Sequence, residues 1–413
     1  MTANKRALVS SLLLIKIILL RHLSISTKIN PSERAFSLFE VVRFPNDPCI
    51  SDPNDTDGTC YTINECQQKK GMPGSSCASG FGVCCIFRHG CDSLSTENIT
   101  YFTSPQTNNV KEPNICRLQI CPCGANICQL RLDFISFAIL PPDNGNSGVI
   151  GRILNGAPTS KANGLEVTSS TRCNSESFSV SNPGGTTPPV ICGMNDGYHM
   201  YVDTNSNCND LTFLLDGSSD NSNWLIKVTQ YDCFYSNLAP SGCTQWFFGP
   251  LTNDVTSFNY QGGLHLANQD QRICVRREAN TCQICWTTSD PLDFQLSGPG
   301  TMALTDDNIC CNYDFNLKLG FDCLIIPTAT SFANEKQLNA NYFCGASKGL
   351  GAVGSRTAAN TGIVRPNSLP NKSICSRSLP FSITFRSDNY EFMEESAKSP
   401  KGFRLFYILN KCS

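Results

Sequence analysis

Cysteine is the residue type most able to do chemistry here: the chain holds twenty-five, against four histidines. Thiols at this density either ligate metal or cross-link one another, and spacing separates the two. Zinc sites repeat paired CxxC knuckles or mix in histidine, and only one such pair occurs, Cys282 and Cys285. Disulfide formation in an oxidising compartment is the chemistry expected. The stretch CASGFGVCC, Cys77 to Cys85, ends on two neighbouring cysteines. Adjacent cysteines rarely bond each other, because the ring that would join them strains the backbone. Cys84 and Cys85 should therefore reach two different partners. With Cys49, Cys60, Cys66 and Cys77 they form a six-cysteine segment too short to bury a core, so cross-links must hold it. Its turn formers Pro53, Asn54, Asp57, Gly58, Gly71, Pro73 and Gly74 leave room for only short strands. Spacing does not choose among the pairings open to six cysteines.

Nucleophilic catalysis would need a serine or cysteine beside a histidine that an acid holds in place. The histidines are His22, His89, His199 and His265. No HExxH helix accompanies them. His199 in DGYHMYV and His265 in GGLHLAN read as ordinary strand or loop residues, and no enzyme is expected. A net charge of −2 gives no electrostatic reason to expect nucleic acid or an anionic membrane as partner.

At 413 residues the chain has room for two or three domains. Residues 1–26 have the layout of a secretory signal peptide: Lys5 and Arg6, an apolar run from Ala7 to Leu20 broken by Lys16, then Ser24-Ile25-Ser26 as a passable cleavage site. The run is shorter than the roughly 18 apolar residues of a spanning helix. No later segment reads as a membrane span, and the tail RLFYILNKCS lacks a lipid-anchor signal. Asn54, Asn98 and Asn371 head glycosylation sequons. These features describe a secreted, extracellular glycoprotein in which a segment 27–46 precedes the six-cysteine module at 47–88.

The remainder repeats itself. NICQLRLDF at Asn126 matches NTCQICWTT at Asn280, and VICGM around Cys192 matches YFCGA around Cys344. TFLLDG at Thr212 matches TFRSDN at Thr384. WLIKVTQYDC at Trp224 matches FRLFYILNKC at Phe403, closing on Cys233 and Cys412 at the same offset. Upstream, Cys91 and Cys116 correspond to Cys243 and Cys274. Within the copies, CQLRLDFISFAI alternates, with Leu130, Leu132 and Phe134 on one face and Arg131 and Asp133 on the other. Short strands with turn signals between them, and no convincing long amphipathic helix, predict a mostly β fold of tandem antiparallel sandwiches. Residues 143–165 and 346–370 read as long loops.

Two resemblances add to this reading. GTCYTINEC…CASGFGVCC resembles the clip domain of arthropod serine proteases and their homologues, although the segment from Cys66 to Cys77 is short for one. The resemblance implies the bridges Cys49–Cys84, Cys60–Cys77 and Cys66–Cys85. Downstream, Phe134, Phe137 and Ile139, the Cys173-Asn174-Ser175-Glu176 motif, Cys192-Gly193, and in the second copy Asp322 to Pro327, Cys344-Gly345, Phe385 to Asp388 and Gly402-Phe403 resemble the CUB domain. That is an extracellular β-sandwich, a jelly roll, and the likeness spans two copies, 91–235 and 243–412. The whole resembles secreted arthropod proteins with CUB domains.

The CUB resemblance implies Cys91–Cys116, Cys173–Cys192 and Cys243–Cys274. Matching positions add Cys208–Cys233 and Cys375–Cys412 as an expected shared bridge. Copy one holds an odd number of cysteines, so one of Cys121, Cys123 and Cys128 is expected to lack a partner there, either inert or linking two chains into a disulfide-bonded dimer. In copy two Leu319 replaces the first cysteine of C-x-x-D, leaving the partner of Cys344 open among Cys310, Cys311 and Cys323. Many CUB domains hold one Ca²⁺ with three acidic side chains. Copy one offers Glu176 and Asp216 with Leu140 at the first position, and copy two offers Asp322 and Asp388 with Ser297 there. Each missing carboxylate weakens such a site, so a lost site is favoured over a weakened one, and no cofactor is expected. The resulting function is a non-catalytic adaptor that binds an extracellular protein or glycan. Two alternatives stay open: a clip-like regulator of an extracellular serine-protease cascade, and a disulfide-linked matrix protein.

Overall fold

A computed structural model describes residues 43–52, 56–105, 114–143, 167–169, 171–181, 183–217, 221–296, 322–331, 341–343, 373–388, 391–392 and 401–412. The expected signal peptide, sequons Asn54 and Asn371, residues Ser297, Leu319, Cys310, Cys311 and Cys344, the stretch 346–370 and all of 143–165 but Asp143 lie outside these. Among the described residues no helix is long and apolar enough to cross a membrane.

The six-cysteine module is a four-stranded antiparallel sheet in the order β1-β2-β4-β3, from β1 (Pro48–Ser51), β2 (Thr56–Tyr61), β3 (Met72–Cys77) and β4 (Gly82–Ile86). Successive side chains of a strand point to opposite faces, and this resolves the adjacent cysteines of β4. Cys84 bonds Cys49 and faces Ile86, Ile99 and Tyr101, while Cys85 bonds Cys66 among Tyr61 and Phe87. Cys60–Cys77 is the third bridge. Short strands were expected to fill the module, yet a helix, α1 (Ile63–Gln68), joins β2 to β3. Its signal was present in Thr62-Ile63-Asn64-Glu65: the Thr62 hydroxyl accepts from the Glu65 amide, and the Glu65 carboxylate accepts from the Thr62 amide.

Ten strands follow: β5 (Arg88–His89), β6 (Ser93–Ser95), β7 (Ile99–Thr103), β8 (Asn114–Ile120), β9 (Ile127–Ala138), β10 (Val167–Ser169), β11 (Ser177–Ser181), β12 (His199–Asp203), β13 (Asn209–Leu215) and β14 (Asn223–Asp232). Sheets β12-β9-β14-β7-β5 and β11-β13-β8-β6 face each other across one core. Strand β9 places Leu130, Leu132 and Phe134 inward, as alternation requires. Its ladder to β14 then slips at Ile135, which is exposed. The extra residue reverses the phase, so Phe137 also faces the core beside Phe134, Phe178 and Phe213.

The second sandwich uses β15 (Gln245–Phe247), β16 (Thr252–Thr256), β17 (Asp270–Val275), β18 (Thr281–Thr287), β19 (Phe294–Gln295), β20 (Cys323–Ile325), β21 (Thr330–Ser331), β22 (Tyr342–Phe343), β23 (Ile374–Ser376), β24 (Phe381–Arg386), β25 (Glu391–Phe392) and β26 (Gly402–Lys411). Its sheets run β15-β17-β24-β20-β22 and β16-β26-β18-β23-β21, with β19 on β26, around Trp286, Tyr407, Phe385 and Phe403. The sequence repeat reappears as ladders. Antiparallel β9/β14 matches β18/β26, β8/β13 matches β17/β24, and parallel β6/β8 matches β15/β17. Strand β10 of the first half pairs with β25 of the second.

The structure contains Cys91–Cys116, Cys173–Cys192 and Cys243–Cys274. The expected Cys208–Cys233 and Cys375–Cys412 are replaced by Cys121–Cys208, Cys128–Cys233, Cys285–Cys375 and Cys282–Cys412. Strand geometry gives the reason. Cys233 and Cys412 end β14 and β26, whose antiparallel partners begin beside Cys128 and Cys282, so each bridge staples the last rung. Cys208 precedes β13 and meets Cys121 just past β8, where Asn209 pairs with Ile120. Cys375 lies directly opposite Cys285. Cys323 is also disulfide-bonded. Cys123 is the one free thiol among the described residues, exposed, with its amide donating to Gln230 Oε1; partial burial of the sulfur pushes its pKa up, away from the reactive thiolate.

Candidate functional site

Two of the acidic residues singled out in the sequence, Glu176 and Asp322, are engaged by this chain's own groups. Glu176 stands at the entry to β11, inside the loop that Cys173–Cys192 closes, and is buried. Its Oε2 accepts from the Leu140 amide at 2.9 Å and from the Ser222 hydroxyl at 2.5 Å. Asp216 is half-buried at the end of β13. In the second sandwich Asp322, just before β20, is fully buried. His265 Nε2 lies 2.8 Å from its Oδ2, and the Asp388 amide donates to its Oδ1 at 3.0 Å. Asp388 is half-buried after β24, and its carbonyl accepts from the Asn268 amide. No group of three His, Cys, Asp or Glu among the described residues could hold a metal.

A calcium ion takes six to eight oxygen ligands, and the described groups around Glu176 and Asp322 do not supply such a set. Where copy one would need its first carboxylate, Leu140 offers an N–H, which repels a cation and already satisfies Glu176. Where copy two would need an ion, the imidazole of His265 already sits against Asp322. That histidine and acid are two of the three members of a catalytic triad in type, and both side chains are buried from solvent.

What the structure brings together instead is a joint between the sandwiches, which sequence reasoning missed. The segment from Ser257 to Gln269 belongs to the second sandwich, yet its Phe258 and Leu266 are buried in the first core, with Phe258 against Phe134 and Tyr198. Asn259 adopts a left-handed conformation, which asparagine tolerates better than most residues. Its side-chain oxygen accepts from the Met194 amide and its own amide donates to Asn195. Gly193, also at positive φ, lies so close that a Cβ there would overlap the Asn259 carboxamide. Further bonds run from the Ala267 amide to Thr171 O and from Gln269 Nε2 to Val190 O. On its other face the segment binds its own sandwich through His265–Asp322, Ser387 Oγ to Leu266 O, and the Phe403 amide to Ser257 Oγ. A second contact joins sheet edges: the Tyr201 amide of β12 donates to Thr244 O, and the Trp246 amide of β15 donates to His199 Nε2 at 3.1 Å.

The six-cysteine module is docked as well. Tyr61 donates to Glu97 at 2.7 Å, Tyr101 donates to the Asp57 carbonyl, and Lys69 pairs with Glu97. Burial, reinforced by the Glu97 carboxylate, pushes the Tyr61 hydroxyl far above its ordinary range. From Asp57 a row of charges crosses the outer face of the first sandwich: Lys227 to Asp57 at 2.7 Å and to Asp133 at 3.7 Å, then Arg131 to Asp133 and to the Tyr201 hydroxyl. This row reaches from the small module to the strand that meets the second sandwich. Of the sequons, Asn98 is half-buried at the start of β7 with its side-chain oxygen enclosed, and its Thr100 is fully buried, bonded to Ser95.

The architecture is that of a mostly β, disulfide-stapled chain of two sandwiches behind a small cross-linked sheet. Within it, residues 240–410 match the family model of the animal CUB domain. No curated protein sequence matches the chain. Among solved structures, the CUB1-EGF-CUB2 domains of rat MASP-1 are 13% identical and cover 78% of this chain and 100% of theirs, with a TM-score of 0.23. The CUB1-EGF-CUB2 domain of human MASP-1/3 gives 13%, 76%, 100% and 0.22. The full extracellular region of zebrafish Gpr126/Adgrg6 gives 13%, 78%, 34% and 0.24.

Proposed function

We propose that this chain is an extracellular, non-catalytic binding protein whose two CUB-like domains, 91–235 and 243–412, act as one joined unit that needs no metal. The match of residues 240–410 to the animal CUB domain carries the reading, because CUB domains are typically interaction modules. Ten bridges between described cysteines suit an oxidising, extracellular setting. Secretion by way of residues 1–26, and a clip-like character of residues 47–88, belong to this proposal. The partner class is an extracellular protein or glycan.

Capture on the immobilised, intact protein from extracellular fluid, in calcium and again in chelator, tests the reading. The same partners are expected in both conditions, since Glu176 accepts from an N–H and an O–H group and Asp322 lies against the His265 imidazole. Partners seen only in calcium would overturn the metal-free reading. A serine protease or its zymogen, retained through residues 47–88, would move the function to cascade regulation. Polymers that dissolve only on reduction would move it to the matrix.

A further inference from the structure

His199 has no part in the binding reading, yet it occupies the contact between the two sheet edges. It is 9% exposed, and its ring packs edge-on against Phe247 at 4.9 Å and Tyr201 at 5.6 Å. Nε2 accepts the Trp246 amide, so that nitrogen must be unprotonated. A proton on it would set N–H against N–H and place a charge among Trp246, Phe247 and the neighbouring cluster of Tyr201, Ala239, Cys243 and Cys274. The charged and titratable groups facing the ring are few. Strand β9 contributes Asp133, directly opposite in the ladder, and Arg131 two rungs away, opposite Tyr201. Asp133 is already engaged by Arg131 at 2.8 Å and Lys227 at 3.7 Å, and so is poorly placed to compensate a new imidazolium. Strand β12 itself contributes Tyr201, and strand β15 contributes Trp246 and Phe247, neither of which titrates.

We propose that the contact between β12 and β15 is an acid-released joint: protonation of His199 breaks the His199–Trp246 bond and frees the edge pairing of Tyr201 with Thr244, while Phe258 and Leu266 continue to tether the second sandwich. Burial, with the Arg131 charge adding to it, lowers the His199 pKa from the ordinary 6.5 to about 4. The direction follows from linkage. The opened joint binds a proton below about pH 6.5 and the closed one only below about pH 4, so closure is at full strength above pH 6.5. It weakens as pH falls through this window, by tenfold per pH unit and about 300-fold in all.

The experiment is amide hydrogen exchange on the intact chain across pH 4 to 7, corrected for intrinsic rates, read at Tyr201 and Trp246, with His199→Gln as the comparison. Glutamine can accept the same amide but does not titrate. The expected result is opening at both amides that rises steeply below pH 6 in the wild type and stays flat in H199Q. Equal rise in both proteins would overturn the proposal. Should H199Q fail to fold, a histidine NMR titration of the wild type decides: a His199 midpoint far below 6 supports the joint, and a midpoint near 6.5 overturns it.

Discussion

Phe258→Ala should lower the melting temperature by on the order of 10 °C and split one unfolding transition into two. Phe258 is 1% exposed and packs on Phe134 and Tyr198, so truncation leaves a cavity inside the first core although the residue belongs to the second sandwich. Truncating a buried phenylalanine costs about 3–5 kcal/mol. Here that loss falls on the element that couples two cores, so cooperativity should suffer along with stability. Differential scanning calorimetry checks both, with exposed Ile135→Ala as a surface control expected to leave the trace unchanged. A single transition shifted by less than about 2 °C would mean that the Ser257–Gln269 segment does not couple the sandwiches.

Asp322→Ala should cost roughly 3 kcal/mol or more, equally in calcium and in chelator. The substitution removes the carboxylate against which the buried His265 ring lies and the acceptor for the Asp388 amide. Burying a polar group without its partner costs more than the bond itself contributed. Asp322→Asn keeps an acceptor for the Asp388 amide and should lose less. Urea unfolding of the three proteins under both conditions provides the measurement. If instead Asp322 served a metal, wild type alone would gain stability from calcium, and the variant would lose only that gain.

The parts of this architecture that sequence makes legible are those set by local alternation. Leu130, Leu132 and Phe134 read directly as one buried face. The paired segments at Trp224 and Phe403 read as the same strand used twice, and both end as β14 and β26 on equivalent ladders. Legibility fails where one residue changes phase or where partners are distant. The slip at Ile135 has no local marker, since isoleucine suits a regular strand as well as a bulge. Pairing Cys208 with Cys233 by matched position ignored which strands lie side by side, and the ladders reassign both to Cys121 and Cys128. The joint was hidden for the same reason: Gly193 and Asn259 belong to different copies, and only the closed fold shows that the glycine leaves room for the carboxamide. Asn259, which opens NYQGG, and Asn268, both found at positive φ, were the residue types that could have hinted at it.

The acidic residues carry a related lesson. Two carboxylates of three in each copy look alike in sequence whether they await an ion or are already engaged by groups of the protein. The distinction lies in donors far along the chain: Ser222 for Glu176 and His265 for Asp322.

The central claim is that the two sandwiches form one metal-independent body. Calorimetry of the intact protein, scanned in calcium and in chelator, tests it most directly. The account predicts superimposable traces with a single transition spanning both sandwiches. Two transitions, or a melting temperature that rises when calcium is added, would contradict it.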